Sequence, residues 1–225
     1  EDPAQAKGLV KREVVRIVTP GTNLNTAAMD EGKNNYIMSI AYIGGKFGIS
    51  IADVTTGEYY VTEVTTERNV DEINKFMPSE IICNHSFLMS GMDVDDLKDR
   101  LSISVFELEE WYFDEEICSD VLKEHFGMVD LAGLGISNMS LGIIASGSLL
   151  KYLYETQKNS LSHMTKLIPY STSTFMILDT STRRNLELCE TLREKQKKGS
   201  LLWVLDKTKT AMGARTLRNY IEQPL

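Results

Sequence analysis

The stretch that decides the fold is YIMSIAYIGGKFGISIADVTTGEYYVTEV, residues 36–64. It contains three runs rich in β-branched and aromatic residues, at 36–43, 47–54 and 58–64, and each gap between them is a short turn with glycine. In the second run, large apolar side chains alternate with small residues, which is the period-2 pattern of a strand. Two short turns between such runs predict an antiparallel three-stranded meander.

After residue 64 the apolar period changes from 2 to about 3.6, which is typical of helices. We predict strands at 80–83 and 103–106, and helices at 69–76, 93–101, 113–126 and 138–158. Asn69 is the predicted N-cap of the first helix, with Glu72 as its capping-box partner, and Gly127 is the predicted C-cap of the third. Strands joined through single helices favour parallel pairing. The fold class is therefore α/β, a mixed sheet covered by helices in the order of the ribonuclease H-like architecture.

Both ends of this α/β region lead into segments of different character. A strand is predicted at 11–18, before a polar loop, and the polar, extended residues 158–178 are predicted to cross into a region that contains only helices, at 180–193, 201–206 and 212–222. The apolar stripes of these helices lack partners in the sequence. Because the chain has no initiator Met and stops just past a helix, we expect it to be a piece of a longer protein.

Composition limits the classes of function. The formal net charge is −8, from 24 Lys and Arg against 32 Asp and Glu, which disfavours non-specific binding to nucleic acid. Three widely spaced cysteines do not suggest a disulfide framework and favour a reducing compartment. No apolar run approaches the ~18 residues needed to span a bilayer, and the polar first residues do not resemble a signal peptide. We expect a cytoplasmic protein without a membrane partner.

A metal-dependent nuclease on a ribonuclease H-like sheet is the alternative function. That chemistry needs several carboxylates around two divalent cations. The first predicted strand has no acid, the fourth continues into Asn84, and Asp53 is an isolated acid that we interpret as a ligand of turn amides. Cys83 and His85 have no second pair that would complete a metal site. We therefore predict no catalytic and no metal-binding residues.

Two other patterns could contact phosphate groups. The glycine-rich stretches at 43–50 and 131–137 lack the spacing of a phosphate-binding loop and are interpreted as a hairpin turn and a loop before a helix. The basic run at 193–199, with Arg183 and Arg184, gives a third hypothesis, a stand-alone DNA-binding module. We favour a solvated loop for the run, and ion pairs or capping of neighbouring backbone for the two arginines.

Long motifs at both ends carry a resemblance to a known family. EDPAQAKGLVKREVVRIVTPGT (1–22), LDTSTRRNLELCETL (178–192) and GSLLWVLDKTKTAMGARTLRNYIEQPL (199–225) closely resemble the MutS family of DNA mismatch repair proteins, and ADVTTGEYYVTEV, EIIC and GIIASGSLLKYLYETQK agree between them. The resemblance implies that residues 1–20 end a mismatch-binding domain, that 21–158 form a ribonuclease H-like connector domain, and that 159–225 begin an incomplete all-α core, or lever, domain.

The resemblance also implies a function. In this family the whole protein binds mismatched duplex DNA, hydrolyses ATP with Mg²⁺ and forms a homodimer or higher oligomer, while the connector domain links the mismatch reader to the lever and offers a surface to the ATPase MutL. The family's mismatch-reading Phe-x-Glu motif lies near the start of the protein, whereas the first Phe of this sequence, Phe47, lies in the predicted sheet, and no stretch of the sequence has the spacing of a Walker A loop. We therefore expect a non-catalytic connector without a cofactor, carried on extended tethers at 19–35 and 158–178.

The predicted helix at 113–126 is the candidate surface for the partner. Its polar face carries Asp120, Lys123 and Glu124, and the aromatic residues Trp111 and Tyr112 precede it. A solvated helix without a partner has the same pattern, so the prediction of partner-binding residues depends on this face being exposed.

Overall fold

A mixed β-sheet forms the centre of the protein. The computed structural model describes residues 14–23, 33–158, 161–172, 176, 178 and 180–224. The strands of its sheet are β1 (Tyr36–Ile43), β2 (Lys46–Asp53), β3 (Glu58–Thr65), β4 (Glu80–Cys83), β5 (Ser104–Glu107) and β6 (Ile168–Pro169), in the spatial order β5-β4-β1-β2-β3-β6. The predicted strand at 11–18 lies partly outside the described residues, and its described part, 14–18, is not a strand, so that prediction is wrong there.

The predicted meander is confirmed. β1 pairs with β2 and β2 with β3, both antiparallel, and the first of these connections is the two-residue turn Gly44-Gly45. Gly44 and Gly45 have φ of 59° and 84°, which a two-residue hairpin turn favours and which only glycine adopts without strain. β4 and β5 continue the sheet in parallel with β1, and β6 runs parallel to β3, so the mixed sheet is confirmed as well.

Helices lie on both faces of this sheet. The α-helices of the described residues, on the sheet and after it, are α1 (Thr66–Phe76), α2 (His85–Leu88), α3 (Val94–Leu101), α4 (Glu115–Phe126), α5 (Ser140–Gln157), α6 (Thr180–Asn185), α7 (Leu201–Leu205) and α8 (Ala211–Glu222). The sequence did not predict α2 or β6. No helix within the described ranges has the length and apolar character that crossing a membrane requires.

Each face of the sheet contributes to its own apolar core. On one face, Ile37 and Tyr59 pack with Leu149 and Leu153 of α5. On the other face, a second cluster joins the sheet to α1 and contains Phe47, Ile49, Ile51, Ile73 and Phe76. The alternation predicted for β2 is therefore confirmed, because its large residues lie together on the α1 face.

The prediction of an N-cap at Asn69 is wrong. β3 ends at Thr65, which is the N-cap, and α1 begins at the next residue, so Asn69 lies inside the helix. Its side chain is completely buried, and neither of its amide atoms has a hydrogen-bond partner among the described residues. Asn69 is four and seven residues before Ile73 and Phe76, a spacing that places all three on the face turned towards the sheet. Packing against the sheet therefore places Asn69 inside α1, although asparagine favours cap positions.

The predicted helix at 180–193 is also wrong beyond its first turns. α6 ends at Asn185. The carbonyl oxygens of Glu187 and Leu188 accept hydrogen bonds from the amides of Leu201 and Leu202, at 3.0 and 2.8 Å. These long-range bonds with the start of α7 replace helical bonds that the local sequence would support.

The segments predicted as extended tethers are docked where the structure describes them. Leu161, Met164 and Leu167 are buried in the core on the α5 face, and β6 follows them onto the edge of the sheet. At the other end, the amide of Gly21 donates to Glu80 Oε2 at 2.8 Å. These parts of the predicted extended tethers are therefore fixed to the α/β region, whereas residues 24–32, 159–160, 173–175 and 177 lie outside the described residues.

Candidate partner-binding surface

Local sequence signals set both ends of α4. Asp114 is its N-cap, and the Asp114 carboxylate accepts a hydrogen bond from the amide of Ile117 at 3.0 Å. Gly127 is its C-cap, as predicted, with φ of 64°. The helix therefore begins two residues later than predicted, after a 3-10 turn at Glu110–Phe113, and ends where predicted.

The buried face of α4 lies directly against α5. Cys118 and Leu122 are fully buried, and burial raises the pKa of the Cys118 thiol to about 12. A Cβ atom added to Gly147 of α5 would lie 2.3 Å from Cys118 Cβ, so the helices approach as closely as they do only because residue 147 is glycine. Close contact on this side leaves the opposite side of α4 in solvent.

That opposite side carries the three predicted partner-binding residues, which we name the α4 surface: Asp120, Lys123 and Glu124. Asp120 and Glu124 are exposed and Lys123 is half-buried. Lys123 Nζ lies 3.2 Å from Asp120 Oδ1. An exposed ion pair of this kind contributes at most about 1 kcal/mol to stability, so the pair can rearrange on contact with another molecule.

The aromatic residues that precede α4 are fixed mainly by α5. The rings of Trp111 and Tyr112 stack with centroids 4.0 Å apart, and Lys151 Nζ lies 4.3 Å from the centroid of the Trp111 ring. The Tyr112 hydroxyl donates to Glu155, and burial together with this carboxylate raises the pKa of Tyr112. Trp111 remains 41% exposed, so this cation–π stack forms a rigid aromatic feature on the surface.

His125 is a residue whose position the sequence did not reveal. Its Nε2 lies 2.7 Å from the carbonyl oxygen of Met164, and its Nδ1 lies 2.6 Å from the Tyr154 hydroxyl. Since a carbonyl only accepts, Nε2 donates, and in the neutral ring Nδ1 accepts from Tyr154. One imidazole thus joins α4, α5 and the segment that leads to β6. From the sequence, the histidines were considered only as metal ligands. No local pattern indicates that His125 joins these three parts of the chain.

The acid on which the nuclease alternative depends is committed to a turn. Asp53 is fully buried at the end of β2. Its Oδ1 accepts from the amide of Thr55 at 2.7 Å, and its Oδ2 accepts from the amide of Asn35 at 3.2 Å. The interpretation of Asp53 as a ligand of turn amides is confirmed.

The other groups considered for metal chemistry lie apart. Cys83 is buried, whereas His85 is exposed and its Nδ1 lies 2.8 Å from Glu107 Oε1. Glu80, which the sequence did not single out, is a fully buried carboxylate that accepts from the Tyr152 hydroxyl at 2.6 Å. In the described part of the chain, no three His, Cys, Asp or Glu side chains come together as a metal site would need.

Neither glycine-rich stretch has the form of a nucleotide site. A Cβ atom added to Gly44 or Gly45 would have no atom within 4 Å, so the turn is an open loop tip without a concave cradle. The stretch at 131–137 leads into α5, where the amide of Gly142 in the first turn already donates to Glu63 Oε1 at 3.0 Å. A protein carboxylate thus occupies the position that a phosphate would take at a helix N-terminus.

Two of the basic residues, Arg183 and Lys197, have protein partners. Arg183 donates from Nη1 to the carbonyl oxygens of Asn74 and Lys75, which confirms that this arginine caps neighbouring backbone. In the basic run, Lys197 Nζ lies 2.6 Å from Asp206 Oδ2 and, with Thr208, lowers the pKa of that carboxyl group. Arg184 is exposed.

Known proteins with similar sequences agree on the family. The model of MutS domain II matches residues 35–165, and the model of MutS domain III matches residues 181–225. The DNA mismatch repair protein MutS of Lachnoclostridium phytofermentans is 62% identical over all of this chain and 24% of that relative. MutS of Ruminiclostridium cellulolyticum and of Acetivibrio thermocellus are each 48% identical over all of this chain and 26% of the relative.

The first family model alone covers more than half of the chain, and the chain spans about a quarter of the length of the curated relatives that it matches. The resemblance seen in the sequence is thereby confirmed: this chain belongs to the MutS family of DNA mismatch repair proteins.

Proposed function

We propose that these residues act as a non-catalytic connector, which links the mismatch-binding part of a mismatch repair protein to its helical core. One observation carries the proposal: two consecutive MutS domain models match the chain, and between the two matches Ile168 and Pro169 pair with the edge of the sheet. A segment fixed at the sheet edge passes a displacement of one domain to the other, which a free linker would absorb.

The proposal includes the domain limits 1–20, 21–158 and 159–225, and a ribonuclease H-like fold for the connector. The strand order β5-β4-β1-β2-β3, with an antiparallel meander followed by two parallel strands, supports this fold. The docking of residues 161–172 on the same sheet favours a boundary between the second and third units that lies nearer residue 172 than 158.

The whole protein is proposed to bind mismatched duplex DNA, to hydrolyse ATP with Mg²⁺ as a homodimer or higher oligomer, and to do so in the cytoplasm, where bacterial DNA lies. The relatives, which are named DNA mismatch repair proteins, support this role. The residues described here do not fit a nucleotide: the Gly44-Gly45 turn is open, and Glu63 occupies the N-terminus of α5. We therefore assign no cofactor to these residues.

The α4 surface, Asp120, Lys123 and Glu124, is the proposed docking surface for MutL. Exposure of Asp120 and Glu124 on a helix whose other face is held tightly by α5 supports it. Because the exposed first turn of α4 adds further acidic residues, a basic patch on the partner would complement this helix.

The experiment is a calorimetric titration of the chain with the N-terminal ATPase domain of MutL, beside a duplex with one mismatch. We expect binding to the protein and not to the duplex. Charge reversal at Asp120 and Glu124, to lysine, should weaken the binding about 10-fold or more, because like charges replace a complementary pair. The matched control reverses Asp95 and Asp99, which are also exposed and four residues apart, on α3.

Equal affinities for the two double variants would remove the α4 surface from the proposal. Binding to the duplex instead, with a steep dependence on salt, would favour the basic run at 193–199 as a DNA-binding module. Divalent-dependent cleavage of the duplex that Asp53→Asn abolishes would replace the connector by the nuclease alternative.

A further inference from the structure

Arg183 lies on α6, and its guanidinium group reaches the end of a helix in the α/β region. Nη1 lies 3.3 Å from the carbonyl oxygen of Asn74 and 3.4 Å from that of Lys75, both in the last turn of α1. The last carbonyls of a helix have no amide partner within it, and the negative end of the helix dipole favours a cation there. Nε of the same side chain donates to the carbonyl of Leu178 at 3.0 Å. One side chain thus joins α1, α6 and Leu178, which precedes α6.

The part of α1 beneath Arg183 is a buried network of charged and polar groups. Glu72 is buried, and its Oε2 accepts from the Tyr170 hydroxyl at 2.5 Å. Lys75 Nζ lies 3.7 Å from Glu72 Oε2 and 4.5 Å from the centroid of the Tyr170 ring. Burial lowers the pKa of Lys75, and the Glu72 carboxylate opposes this shift. Buried charges of this kind are costly to leave without their partners, so the geometry of the network is fixed.

The end of α8 adds further polar contacts to this region between α1 and α6, which we call the junction. Arg218 Nε lies 3.0 Å from Glu222 Oε1, and the amide of Met176 donates to the carbonyl of Pro224 at 2.8 Å. Burial lowers the pKa of Arg183, while the negative charge of Glu222 acts in the opposite direction. The cavity among these residues has a volume of about 30 Å³, which is room for one or two water molecules and not for a ligand.

Apolar packing does not supply this attachment. Among the described residues from 180 to 224, the buried apolar residues are Leu188 and Leu202. Neither residue belongs to the apolar clusters that contain the sheet, and a backbone hydrogen bond of 2.8 Å joins the two residues to each other. The polar contacts of the junction therefore hold the segment against α1.

We propose that Arg183 is a positioning residue that fixes the helical segment, residues 180–224, on α1, so that moving the segment uncaps α1 and loosens its last turn. The position of the helical segment and the order of the last turn of α1 then depend on one equilibrium between a docked and an undocked state. A partner that binds one of these states more tightly therefore shifts both regions. The biological purpose of this coupling rests on the proposed connector function.

The test compares Arg183→Gln with Arg184→Gln by amide hydrogen exchange of the whole chain. Both variants lose one positive charge from α6, but Arg184 is exposed. Hydrogen bonds from a charged donor are among the stronger ones in proteins, and local opening sets the exchange rate. We expect Arg183→Gln to raise exchange about 10-fold in the last turn of α1 and in α8, with β1 and α5 unchanged, and Arg184→Gln to match the unmodified protein.

Equal exchange in the two glutamine variants would overturn the proposal. If Arg183→Gln also loosened β1, the variant Arg183→Lys would decide, because lysine keeps the charge but cannot reach three carbonyl groups at once. Selective loosening of α1 and α8 in this lysine variant supports the proposal, and exchange like that of the unmodified protein overturns it. Because the experiment uses no partner, its outcome is independent of the titration with MutL.

Discussion

The α/β region and the helical segment both contain large apolar residues, but they bury them very differently. Ile49, Tyr59 and Leu149 of the α/β region are fully buried, between a sheet and the helices on its two faces. In the helical segment, Trp203 is 48% and Tyr220 is 73% exposed. Apolar residues form a core only where a second layer faces the first, and α7 and α8 have no such layer among the described residues. Stability should therefore depend strongly on side chains of the first region and weakly on those of the second.

Truncation of one apolar side chain in each region is the test of this comparison with the largest expected effect. Ile49→Ala should lower the free energy of unfolding by about 2–5 kcal/mol, because it leaves a cavity in a close-packed core. Leu205→Ala, at a side chain that is 48% exposed, should change it by about 0.5 kcal/mol or less. Denaturant titrations of the three proteins measure both values. Similar losses in the two variants would mean that the helical segment is packed as tightly as the sheet.

Replacement of one helical glycine in each region is the second test. Alanine is normally the better helix former by about 1 kcal/mol. At Gly147, however, the added Cβ would lie within 2.6 Å of three Cys118 atoms, including backbone, so Gly147→Ala should destabilise the protein by about 1–3 kcal/mol. At Gly213 of α8 the nearest atom is the Thr210 Oγ1 side-chain atom at 3.2 Å, so Gly213→Ala should remain within about 0.5 kcal/mol. A stabilising Gly147→Ala, seen in thermal unfolding, would contradict the close approach of α4 and α5.

The smallest expected effect concerns the pKa of Glu58, at the start of β3, which depends on a positive charge of α8. Burial raises the pKa of Glu58, while the Tyr36 hydroxyl hydrogen bond and the positive charge of Arg215 on α8 lower it. Arg215→Gln should therefore raise this pKa further, and a titration of the Glu58 carboxyl carbon followed by NMR measures it. An unchanged pKa would show that α8 does not rest beside β3.

The raised pKa of Glu58 makes the stability of the protein depend on pH in a definite direction. The folded state of this protein binds the Glu58 proton more tightly than the unfolded state, because the pKa is raised from 4.5. The contribution of Glu58 to stability is thus fully present below about pH 4.5 and is lost as pH rises through the folded-state pKa. In Arg215→Gln the loss should extend to higher pH, which unfolding curves between pH 4 and 7 measure.

Much of the α/β region could be predicted because its signals are local. The alternation in β2, the Gly44-Gly45 turn and the C-cap at Gly127 each act within a few residues, and the structure confirms all three. The position of α4 at the surface also followed, because acidic residues and apolar ones occupy opposite sides of one helix. The role of Asp120, Lys123 and Glu124 in binding a partner stays a prediction.

By itself, then, the sequence determined the family, the mixed α/β class and the succession of β1 to β5 along the chain, since periodicity and turn chemistry depend on residues that are close in sequence. Only the tertiary structure decided where α6 ends, that residues 161–172 join the sheet, and that Arg183 caps α1. Each of these features depends on a contact between residues far apart in the chain. Their partners become available only when the fold brings them together, so no local pattern records them.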